Sequence, residues 1–191
     1  MREKVAIFLL CLGCAPGCAA RAGDSIRADA EIVRRESTPK VLLQRGEGFA
    51  AVGDSTRAEQ YYAAALAGGG DPHLLVRRLI RVCVSGQRYR AALAYAEDYL
   101  LRCPTDHEVR FARATIAVAI GDTEQARADL TELVQAVPNN PDVHFALALL
   151  LRDELAELPE AREHFARYLA LAPNGSNAAQ ARAAMGLEQE R

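Results

Sequence analysis

One spacing constrains this chain more than any other. A small residue recurs at Ala58, Ala92, Ala126 and Ala161, at steps of 34, 34 and 35 residues. Around each copy the signals come in the same order. A turn precedes it, as at Gly53-Asp54 and Gly121-Asp122, and a large or small apolar residue follows four positions later, at Tyr62, Ala96, Leu130 and Phe165. The segment then ends at a glycine run or a proline: Gly68-Gly69-Gly70 before Pro72, then Pro104, Pro138 and Pro173. Proline lacks an N–H and clashes with the preceding turn, so each of these positions stops a helix. Upstream of each small residue lies a second stretch with helical apolar spacing, such as Val76, Leu79, Ile80 and Cys83. The unit is a pair of helices, and no single pair can bury its own apolar stripe. Neighbours must stack.

A 34-residue helical pair with Gly46, a small residue, a larger one four later and a closing proline resembles the tetratricopeptide repeat. The resemblance implies an all-α solenoid of about four hairpins, over residues 39–72, 73–105, 106–139 and 140–175, with a C-terminal capping helix in 176–191. The extra residue of the 35-step is expected near Glu154 to Pro159, and Ser176 or Asn177 is expected to cap the last helix, which runs through Ala181, Ala184, Met185 and Leu187. Such arrays are docking surfaces. By the family's register, first helices line the groove. That places Lys40, Leu43 and Glu47, then Leu74, Arg77, Arg78 and Arg81, then Glu108 and Phe111, and finally Phe145 and Leu149 on it. Arg77 and Arg81 lie one turn apart, and Phe111 and Phe145 lie one repeat apart. These four are the candidate partner-binding residues, suited to a peptide that offers a carboxylate beside apolar side chains. The alternative is a solvated arginine face with two phenylalanines in the core. Arg77 and Arg81 replace the lysine and asparagine of the clamp that chaperone-binding members use on carboxylate tails.

Ahead of the repeats, Arg2 and Lys4 precede the apolar run VAIFLLCL and then Gly13-Cys14. A basic start and about eight apolar residues are too short to span a bilayer and suit a secretory leader. The small residue before cysteine resembles a bacterial lipoprotein signal, which implies a signal peptide over residues 1–13, lipidation at Cys14 and a polar tether over 14–38. Cys18 as the modified residue, ordinary cleavage after Ala20 or Ala22, and a retained anchor are the alternatives. The resemblance implies a periplasmic, membrane-anchored protein, expected at the outer membrane. Crowding of Cys11, Cys14 and Cys18 belongs to this leader rather than to a metal site.

The rest narrows the function classes. Net charge is −2, which argues against a nucleic-acid partner. His73 and His107 recur at equivalent positions about 10 Å apart by ordinary interaxial spacing, too far for one zinc, and His144 and His164 lie on different helices. No nucleophile elbow, zinc-helix motif or phosphate loop is present, and no lysine with serine or threonine follows the triple glycine. The expectation is no enzyme, no metal, no cofactor and no small-molecule substrate, but a protein or peptide partner in the groove and a membrane reached through the lipid. A non-catalytic accessory subunit of a cell-wall or secretion enzyme, or a cytoplasmic adaptor, is the alternative. Cys83 and Cys103 fall at opposite ends of one hairpin and are expected to stay reduced.

Overall fold

A computed structural model of the protein describes residues 37–186. The signal peptide, Cys14, Cys18, nearly all of the tether and Leu187 lie outside the described residues. Nine helices follow one another among those described: α1 (Pro39–Ala51), α2 (Ser55–Ala67), α3 (Pro72–Ser85), α4 (Tyr89–Arg102), α5 (His107–Ile120), α6 (Thr123–Ala136), α7 (Pro141–Asp153), α8 (Leu158–Leu171) and α9 (Ala178–Ala184). Each packs on the next. First helices also meet across the stack, α3 with α5 and α5 with α7. The four hairpins fall where the period puts them, with one shift at a boundary. Pro72 does not close the first hairpin; it opens α3, where the missing N–H costs nothing.

The core is built on volume matching between the two helices of each hairpin. Second-helix positions Tyr62, Ala96, Leu130 and Phe165 are all buried, as are first-helix positions Gly46, Ile80, Ala114 and Ala148, each 34 residues from the last. A glycine goes with a tyrosine, an isoleucine with an alanine, and alanines with a leucine and a phenylalanine. In the first hairpin a Cβ on Gly46 would stand 2.5 Å from Tyr62 Cε1, so only glycine lets the ring lie flat against the helix backbone. Ala58, Ala92, Ala126 and Ala161, at most 1% exposed, give the same close approach on the second helices.

Turn chemistry repeats as well. A residue with positive φ follows or ends each first helix: Gly53 and Gln87 just past the C-cap, Gly121 at the C-cap itself, and Ala156 two residues past the C-cap Glu154. Two are glycine, for which this region is free; the other two accept strain. The extra residue of the fourth repeat lies in the α7–α8 connection, between Asp153 and Leu158, as expected. Helix starts are capped by Asp54, Asp71, Asp106, Asp122 and Asn140, whose side chains accept from backbone N–H groups in the first turn. Asn177 departs from the expectation. Its side chain makes no cap bond; its backbone N–H donates instead to Tyr168 Oη at 3.0 Å, and Ser176 is not the cap position. Ala178 and Ala181 of α9 then cover the end of the last hairpin.

Volume matching makes a specific prediction. Gly46→Ala raises intrinsic helix propensity yet is expected to lower stability by about 1–3 kcal/mol through overpacking. Thermal melts of the single variant and of Gly46→Ala with Tyr62→Leu check this: the second change should recover part of the loss. Additive losses would show that the ring and the glycine are not coupled.

Candidate functional site

First helices carry the polar residues that could meet a partner, and the structure sorts them by what already neutralises them. On α3, Arg77 reaches across to α5 and pairs with Glu108 at 2.6 Å, while Arg78 reaches back to α1 and pairs with Glu47 at 3.2 Å. Both arginines therefore act as rungs between repeats. Arg81, one turn on from Arg77, makes no ion pair among the described residues. It is exposed and borders two hollows. Of the two arginines expected to serve together, Arg81 has no ion pair among the described residues, and Arg77 is already paired with Glu108.

The aromatic pair is corrected more strongly. Phe145 is 7% exposed and lies edge-on to Phe165 at 5.8 Å and beside Tyr168 at 5.1 Å. It belongs to the core of the last two hairpins, not to the groove. Phe111 is half-buried and packs against the same core. Helical spacing places a residue on a face within a window of one turn, and at these positions that window spans both the groove and the hairpin interior.

Apolar walls come from other residues. Between α3 and α5 lies a cavity of about 430 Å³ lined by Ile80, Arg81, Val84, Tyr89, Ala112, Thr115, Ile116 and Ala119. Between α5 and α7 lies one of about 240 Å³ lined by Thr115, Val118, Ala146, Leu149, Leu150, Asp153 and Glu154. A third, about 340 Å³, sits between α1 and α3 against Glu47, Ala50, Tyr62 and Arg78. Arg81 is shared by the first and third of these, Thr115 by the first and second. The three hollows thus form one groove across four first helices. Leu149, expected on the groove by register, does line it.

Polar clusters elsewhere brace the stack. His73 Nδ1–H donates to Asp106 Oδ2 at 2.8 Å, and Tyr99 Oη–H donates to the same oxygen at 3.0 Å, tying α3 and α4 to the start of α5. Hydrogen bonds from the Val109 N–H, His73 and Tyr99 hold the Asp106 carboxyl below its usual range, outweighing the opposing effect of burial, which is the largest single influence. Asp129, 2% exposed, accepts both bonds of a fork from Arg113, at 2.8 and 2.5 Å, and has Arg110 at 3.5 Å. Cys83 and Cys103 are free thiols, and burial pushes the Cys83 thiol up to about 11. Among the described residues no group of three or more His, Cys, Asp or Glu side chains gathers as a metal would require, and no helix is long and apolar enough to cross a membrane.

One contact escaped the sequence. His144 on α7 and His164 on α8 meet with Nδ1 atoms 3.0 Å apart, and His144 Nε2–H donates to the Pro138 carbonyl at 3.0 Å. With its proton on Nε2, neutral His144 offers Nδ1 as an acceptor, so His164 donates from Nδ1. Positions 20 apart on partner helices of one hairpin give the only signal, and it does not fix height or rotation.

Residues 111–176 match the family model described as tetratricopeptide repeat. Among solved structures, the chain resembles a tetratricopeptide repeat protein from Parabacteroides merdae ATCC 43184 with TM-score 0.69 and 21% identity, the match covering 77% of this chain and 58% of that one. It resembles MamA from Desulfovibrio magneticus RS-1 with TM-score 0.66 and 20% identity, covering 83% and 91%. It also resembles YrrB, described as a TPR protein with an unusual peptide-binding site, with TM-score 0.61 and 19% identity, covering 84% of each. No curated protein matches the chain in sequence. At these identities the likeness is one of fold.

Burial, and next the neighbouring His144, lower the pKa of His164. In the unfolded chain this histidine returns to about 6.5. The unfolded state then takes up the proton more readily, so the stability His164 contributes is full above pH 6.5 and is lost as pH falls through its folded value. Melting temperature between pH 7.5 and 5 should drop in the native chain and drop less in His164→Gln.

Proposed function

We propose that this tetratricopeptide repeat protein is a non-catalytic docking scaffold that holds a protein or peptide partner on its first-helix face. Under the same reading it is tethered by lipid at Cys14 to the periplasmic side of the bacterial envelope. The observation that carries the docking half is the run of hollows between α1, α3, α5 and α7, the last two with mainly apolar walls, bordered by Arg81, which makes no ion pair among the described residues. Charges that brace the stack are mutually satisfied, as in Arg77 with Glu108 and Arg78 with Glu47. An unsatisfied cation beside apolar hollows is where a partner's carboxylate gains a charge-assisted bond while its side chains are buried. Support for the tether comes from Arg2, Lys4, the VAIFLLCL run and Gly13-Cys14. A single acyl chain binds membranes marginally, so stable anchoring needs the further chains that lipoprotein processing adds.

Two measurements test the two halves. Cys14→Ser is expected to abolish metabolic palmitate labelling and release the protein from the membrane fraction; retained labelling would move the modification to Cys18. For docking, Arg81→Glu should leave the melting temperature within about 2 °C, since no ion pair is broken, and weaken capture of envelope proteins at least tenfold, about 1.4 kcal/mol. Unchanged capture by a normally folded variant would move the docking surface off this face. Arg77→Glu is the poorer probe, because it sets a second carboxylate against Glu108.

A further inference from the structure

The two apolar hollows are flanked by opposite charges. On the α3 side Arg81 makes no ion pair among the described residues, while Arg78 and Glu47 cancel each other. At the α7 end Asp153 is held by Arg152, with Nε and a terminal nitrogen at 2.5 and 2.8 Å, so that pair also cancels. Glu154 beside it is exposed and makes no ion pair among the described residues. Between these charges the walls are apolar: Ile80, Val84 and Ile116 in one cavity, Val118, Ala146 and Leu149 in the next. Thr115 is the shared partition.

From this we infer the chemistry of the ligand, resting on the docking reading above: an extended peptide carrying two apolar side chains three residues apart, an acidic residue at one end and a basic residue at the other. The spacing follows from geometry. Each cavity lies between successive first helices, so their centres are one helix step apart, about 10 Å. A peptide in the extended polyproline-II form advances about 3.1 Å per residue and turns once every three residues, so side chains three apart face the same side and reach successive cavities. The larger cavity, about 430 Å³, takes the bulkier side chain and lies nearer Arg81. The acidic residue sits at Arg81, the basic one at Glu154. A helical ligand would instead need its two apolar side chains about seven residues apart, since a helix advances only about 1.5 Å per residue.

Synthetic ten-residue peptides test this with the purified full-length protein by fluorescence anisotropy. The parent carries one aspartate, two leucines three positions apart and one arginine on a serine background, made in both chain directions. Controls place the leucines side by side, carry arginine at both ends, or carry aspartate at both ends. One direction of the parent is expected to bind at least tenfold tighter than any control. In Arg81→Glu the preference should turn toward a peptide with arginine at both ends, and in Glu154→Arg toward aspartate at both ends. Equal affinity for spaced and unspaced leucines, absence of binding by every peptide, or charge preferences that neither variant shifts would overturn the inference. Loss of the motif with retained, Arg81-dependent capture of envelope proteins would leave the docking reading standing. Loss of both would remove the groove from the account.

Discussion

Everything in this molecule depends on how closely two helices of one hairpin can approach. Where Gly46 faces Tyr62, a single added carbon would collide with the ring. The other hairpins solve the same problem with different volumes, isoleucine with alanine, or alanine with leucine or phenylalanine. Interiors are packed as densely as organic crystals, so each hairpin must conserve the total rather than the individual residue. That explains why Ala96 stands where its counterparts are Tyr62, Leu130 and Phe165.

A second layer of order lies between hairpins. Asp54, Arg88, Asp122 and Glu157 stand at the N-cap positions of the second helices, and the side chains of Asp54 and Asp122 cap them. Arg88 and Glu157 do not. Arg88 reaches the preceding repeat, donating to Thr56 and the Ser55 carbonyl and pairing with Glu59, while Glu157 takes a fork from Arg127. A local cap is exchanged for a link across the stack. The residues expected to be functional by register, Arg77 and Arg78, are likewise absorbed into links, which leaves Arg81 exposed to another molecule.

Period and punctuation made the fold legible. Prolines, turn glycines and the alanine register placed the four hairpins, and the 35-step put the extra residue near Glu154 to Pro159, where the α7–α8 connection lies. Faces were less legible. Phe145 reads as groove or core from spacing alone, and its burial comes with its ring contacts to Phe165 and Tyr168. Ion-pair partners were not legible either, since Glu47 and Glu108 become partners of α3 only once the repeats stack. The contact of His144 with His164 needs both helix rotation and height, and no pattern encodes either.

These layers place the account's weight on one face. Inter-repeat pairs neutralise Arg77 and Arg78, and what stays open is two apolar hollows flanked by Arg81 on one side and Glu154 on the other. Site-specific photo-crosslinking in envelope extract tests this most directly, with the crosslinker at Thr115 on the partition of the groove and, as a control, at Leu101, which is 83% exposed on α4. The account predicts a discrete crosslinked partner from Thr115 that Arg81→Glu abolishes, and none from Leu101. A partner caught at Leu101 but not at Thr115 would contradict it.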